Sequence, residues 1–142
     1  MQKTTGKHVQ LLPITEDTPI TTLGATKINT GIYVLAILQQ PQITLPAKTV
    51  LAETETRTAK DILKLWSEVS KTPAEYASIS LDHYDNLWPK WGREVGLMLQ
   101  FWDYAREKSW IAESAVIKKE DLNITGLVGM KEVFAGIDWT TI

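Results

Sequence analysis

The chain has 142 residues, 44% of them hydrophobic and 23% charged, with a net charge of −2. That length suits one domain of roughly 100–150 residues, and the composition excludes the apolar-poor, highly charged pattern of disorder. With no cysteine, disulfides, thiolate metal sites, iron–sulfur clusters and thiol nucleophiles are excluded, and a reducing, cytoplasmic setting is expected.

The charge is evenly spread. Residues 1–55 hold four Lys and four acidic groups, and the remainder holds eleven basic and thirteen acidic. Neither part offers the positive field that phosphate neutralisation needs, so nucleic acid and anionic membranes are disfavoured partners. The opening Met1–His8 lacks the apolar stretch of a secretory leader. The longest apolar run, Ile32–Leu38, is far short of the about 20 residues that cross a bilayer.

Residues 1–8 are expected to fray. From residue 9 to 55 the chain holds four of its six prolines, and its apolar segments are short: Val9–Leu12, Ile20–Leu23, Ile32–Leu38 and Ile43–Leu45. β-branched runs punctuated by Pro and Gly read as strands. Gln40-Pro41-Gln42 reads as a turn that lets Ile32–Gln39 and Gln42–Leu45 pair as a hairpin. Gly31–Gln40 suits a buried helix as well as a strand, and strand is the reading adopted, because periodicity does not separate the two over so short a run.

From residue 56 to 142 the pattern turns helical. Ile62, Leu65, Trp66 and Val69 share one helix face, and Thr58 with Asp61 caps its start. Thr72-Pro73-Ala74-Glu75 resembles a capping box with Pro at the first helical position, which predicts a second helix from Pro73 to about Tyr84. Asp85-Asn86 offers the next cap, before a third helix that opens at Leu87-Trp88-Pro89 and ends near Lys108. Its face of Trp91, Val95, Met98, Trp102 and Ala105, flanked by Leu97, Leu99 and Phe101, predicts a central, buried helix. Residues 109–121 read as a connection with a short strand at Ala115–Lys118. A last helix is expected at Thr125–Ala135, weakened by Gly126 and Gly129. The expected fold is one α+β domain: a small antiparallel sheet in the N-terminal part, then three to four helices.

Chemical motifs are sparse. His83, in Asp82-His83-Tyr84-Asp85, could act as a general base beside a carboxylate. A histidine favoured by the dipole at a helix C-terminus is the simpler reading. Glu94, Asp103 and Glu107 could do acid–base work, but a solvated face with ion pairs such as Asp103–Arg106 accounts for them. Gly126-Leu-Val-Gly129 precedes no Lys-Ser or Lys-Thr, so it is no P-loop. A helix–turn–helix around Lys118, Lys119 and Lys131 would carry too few cations on its second helix. No cofactor or metal site is expected, and no catalytic residue is assigned.

The tryptophans stand out. Six occur in the chain, four of them (Trp88, Trp91, Trp102, Trp110) within residues 88–110. Trp66, Trp91 and Trp102 fall on predicted core faces. Trp88, Trp110 and Trp139 mark the ends of elements, where rings often stay accessible. Trp88, Phe101, Tyr104, Trp110 and Trp139 are therefore the candidate partner-binding residues. The expected function is a non-catalytic interaction or assembly subunit that binds another protein or a second copy of itself. The alternatives are a small carboxylate or hydroxyl enzyme and a nucleic-acid-binding regulator.

Overall fold

The computed structural model describes residues 6–110 and 115–139. The chain is α+β and forms two compact units, one from residues 1–20 and 57–109, the other from 21–56 and 110–142. One of the crossings between them coincides with the composition shift near residue 56.

The first unit is built on a parallel strand pair. β1 (His8–Leu12) runs beside β4 (Ala74–Ser78), in register from His8↔Ala74 to Leu12↔Ser78. The ladder continues at both ends, His8 N–H donating to Pro73 O at 2.8 Å and Ile79 N–H to Leu12 O at 3.0 Å. His8 thus opens a strand, with its ring edge-on to Trp66 at 5.5 Å. Of the rest of the segment expected to fray, Gly6 and Lys7 are exposed bends, and residues 1–5 lie outside the described residues.

Helix α3 (Ala59–Ser70) starts as its sequence predicts, with Thr58 Oγ1 accepting from Asp61 N–H at 3.0 Å. Lys71 closes it in the left-handed region, at φ 55°. The predicted helix at Pro73 does not form. Thr72 Oγ1 donates back to Ser70 O at 3.3 Å, and Ala74–Ser78 joins β1 as a strand. Pairing with a distant segment overrides the local cap. The next helix, α4 (Leu81–Leu87), is capped by Ser80, whose Oγ accepts from His83 N–H at 3.2 Å. α5 (Gly92–Ala105) follows, leading into a 3-10 turn at Arg106–Trp110. Ile14, Ala59, Tyr84 and Leu99 form the core of this unit, with Leu12, Ile20, Tyr76, Ile79, Val95 and Trp102 packed around them.

In the second unit, Gly31–Gln40 is not a strand. It belongs to helix α1 (Thr26–Gln39), which is followed at Pro41 by the single turn α2 (Pro41–Thr44). The predicted hairpin is therefore absent. The inward face of α1 is marked by polar anchors, so apolar periodicity conceals it. Asn29 is fully buried: its Nδ2 donates to Leu23 O (2.6 Å), Val128 O (2.8 Å) and Thr54 Oγ1 (3.0 Å), and its Oδ1 accepts from Val128 N–H (3.0 Å). One turn later, the buried Tyr33 hydroxyl donates to Glu53 O at 2.6 Å and accepts from Glu53 N–H at 3.0 Å. Gln40 Nε2 reaches Leu122 O at 2.9 Å.

Strands β2 (Pro19–Thr22) and β3 (Glu55–Thr58) make a second two-stranded sheet. The strand expected at Ala115–Lys118 is reduced to one parallel bridge, Ile117 with Val50. Helix α6 (Met130–Ala135) starts five residues later than expected. Val128 is held by Asn29 and by Ala25 N–H, which donates to Val128 O at 3.0 Å, so the chain before Gly129 is not free to coil. Glu55 Oε1 accepts from Met130 N–H at 2.6 Å, a carboxylate at the first turn of the helix.

Candidate interaction surface

The α4–α5 corner is tight because glycines stand where the two helices meet. A Cβ on Gly92 would lie 2.9 Å from Asp85 Cα and 3.0 Å from Tyr84 O, and one on Gly96 would lie 2.4 Å from Leu81 Cδ1. Gly92, Gly96 and Leu99 are buried, and Asp103 continues the same face.

Asp103 ties α5 to the loop after β1. Thr15 Oγ1 and Thr18 Oγ1 donate to its Oδ1 at 2.7 and 2.5 Å, and Arg106 Nη1 lies 3.4 Å away. Burial disfavours the Asp103 carboxylate, but the Thr18 and Thr15 hydroxyls and Arg106 outweigh it and hold the group below the usual carboxylate range. Arg106 also bonds Asp17 at 2.7 Å. That bond, with help from Thr15, lowers the Asp17 pKa to about 2.

With one face of α5 committed in this way, the opposite face carries apolar side chains into solvent. Leu97, Met98, Phe101 and Tyr104 are all exposed, Phe101 at 53% and Tyr104 at 89%. Their spacing of three and four residues gathers them on one side of the helix. At the N-terminal end, Trp88 stacks on Trp91 (centroids 5.1 Å apart, planes at 21°), and Trp91 meets buried Tyr84 edge-on at 6.2 Å. An aromatic series thus leads from the core to the surface, where Trp88 and Trp91 are 46% and 45% exposed. The four exposed aromatic residues together leave on the order of 500 Å² of surface in water.

This arrangement corrects the sequence reading of α5 in two respects. The helix is not central and enclosed, and Trp91 and Met98 point outward. Trp91 precedes the first helical residue, so the wheel that placed it inward started too early. The Gly92/Gly96 pair was the available signal for the close-packed side. Trp66 and Trp102 are partly buried, Trp102 against the core.

Of the five residues expected to meet a partner, Trp88, Phe101 and Tyr104 share this unit. Trp110 and Trp139 belong to the other. Trp110 is partly exposed. Trp139 is folded against its own unit, with Nε1–H donating to Phe134 O at 2.8 Å and its ring edge-on to Phe134. The second unit has an apolar face that the strand reading of residues 31–40 hid. Ile28, Val34, Leu35 and Leu38 of α1 are all exposed, and Lys27 is the one charged residue of that helix.

His83 is exposed in the first turn of α4, not at a helix C-terminus. Asp82, 3.7 Å from Arg93, and Glu94 are also exposed. None of the three lines a 290 Å³ cleft in this unit, which is bounded by Glu16, Lys60, Leu63, Lys64, Ser67 and Tyr76 among others. Two ion pairs occupy its rim, Lys60–Glu16 at 2.9 Å and Lys7–Glu75 at 2.6 Å. They raise the Lys60 pKa and lower that of Glu75. Burial, then the charges of Asp103 and Glu16, push the Tyr76 phenol to about 12. These three groups are all moved away from the neutral range in which a general acid or base works best.

Among the described residues no three His, Asp or Glu side chains gather as a metal site, and no helix is long and apolar enough to cross a membrane. Residues 119–123 form turns where a helix–turn–helix needs its first helix. Lys119 is engaged inside its own unit, donating to Thr54 O at 2.7 Å and lying 4.0 Å from Glu53. No model of a known protein family matches the chain, and no curated protein matches it significantly.

Proposed function

We propose that the chain is a non-catalytic interaction or assembly subunit. It binds another polypeptide, a second copy included, through the outer face of α5 and the Trp88–Trp91 pair. One observation carries this reading: α5 already packs its unit through Gly92, Gly96, Leu99 and Asp103, so Leu97, Met98, Phe101 and Tyr104 contribute little to intramolecular packing. Large rings left in water are the side chains that dominate binding energy once covered. The cysteine-free composition supports a cytoplasmic setting.

The test is site-specific photo-crosslinking in an extract of the native source. A photoreactive amino acid at position 101 or 104 should yield a discrete protein adduct, and the same group at exposed Asp61 of α3 should not. Equal labelling at all three positions, or no adduct at 101 and 104, overturns the proposal.

A further inference from the structure

We draw no further inference here: the strongest candidate, the outer face of α1 formed by Ile28, Val34, Leu35 and Leu38, is an exposed apolar surface, and nothing in the structure shows what covers it.

Discussion

Replacing Asn29 tests the second unit at its most connected point. Asn29→Ala removes the partner of Val128 N–H, which the structure pairs with Asn29 Oδ1 at 3.0 Å. The carbonyls that Asn29 serves lose less. Leu23 O still accepts from Thr54 Oγ1 at 2.8 Å, and Val128 O from Ala25 N–H at 3.0 Å. Orphaning this part-buried donor costs about 1–3 kcal/mol, and the void left by the amide adds about 1 kcal/mol. The expected loss is therefore about 2–4 kcal/mol.

Asn29→Asp separates polarity from size. It keeps an acceptor for Val128 N–H but sets a carboxylate against Leu23 O and Val128 O, 2.6 and 2.8 Å from the present amide nitrogen. Those carbonyls favour the protonated acid, so the folded pKa rises above the unfolded value of about 3.9. The folded state then holds more protons, and stability falls as pH climbs above about 4. Urea unfolding followed by hydrogen exchange at the Val128 and Ala25 amides is the assay. Both substitutions should lower the stability of this unit and expose those amides. The Asp deficit should grow between pH 4 and 7, and the Ala deficit should stay flat. An Asn29→Ala loss below about 0.5 kcal/mol, within the range of ordinary surface changes, refutes the reasoning.

Two glycines should respond in opposite directions. Gly92→Ala meets backbone atoms at 2.9 and 3.0 Å and should destabilise by about 1–3 kcal/mol through overpacking. Gly31→Ala, in mid-helix with open space around it, should stabilise by about 0.5–1 kcal/mol. Thermal melts of both variants check the pair, and a shift of the same sign in both contradicts it. Acid should loosen the first unit. Asp17 and Asp103 have folded pKa values below their unfolded ones. Their contribution is present above the unfolded value of about 3.9 and is lost as pH falls below it, for Asp17 toward about 2. Urea midpoints measured from pH 5 to pH 2 should decline, and the decline should be shallower in Arg106→Met; equal slopes refute the Arg106 contribution.

What the sequence disclosed depended on whether the deciding interactions were local. Thr58, Asp61 and the apolar face from Ile62 to Val69 lie within one segment, and α3 appears where they place it. The α+β class followed from the same local patterns. β4 is hidden because its partner, β1, lies more than sixty residues upstream, and a sound capping sequence at Thr72–Glu75 yields to that pairing. α1 is concealed for a different reason: its buried positions are Asn29 and Tyr33, polar groups whose partners at 53 and 128 no periodicity reveals. On the face proposed to bind a partner, Trp88, Phe101 and Tyr104 are legible as aromatic excess. Leu97, Met98 and Trp91 are not, because a wheel of hydrophobicity alone gives Gly92 and Gly96 no weight, and those two residues decide which side of α5 faces α4.

The claim that the outer face of α5 is covered by another polypeptide is tested most directly by hydroxyl-radical footprinting. Oxidation of Met98, Trp88, Phe101 and Tyr104 would be compared between the purified chain, diluted until monomeric, and the chain in an extract of its native source. All four should be labelled rapidly in the isolated chain and protected several-fold in the extract, with the partly buried Met130 labelled alike in both. Equal labelling of the four residues in both preparations would contradict it.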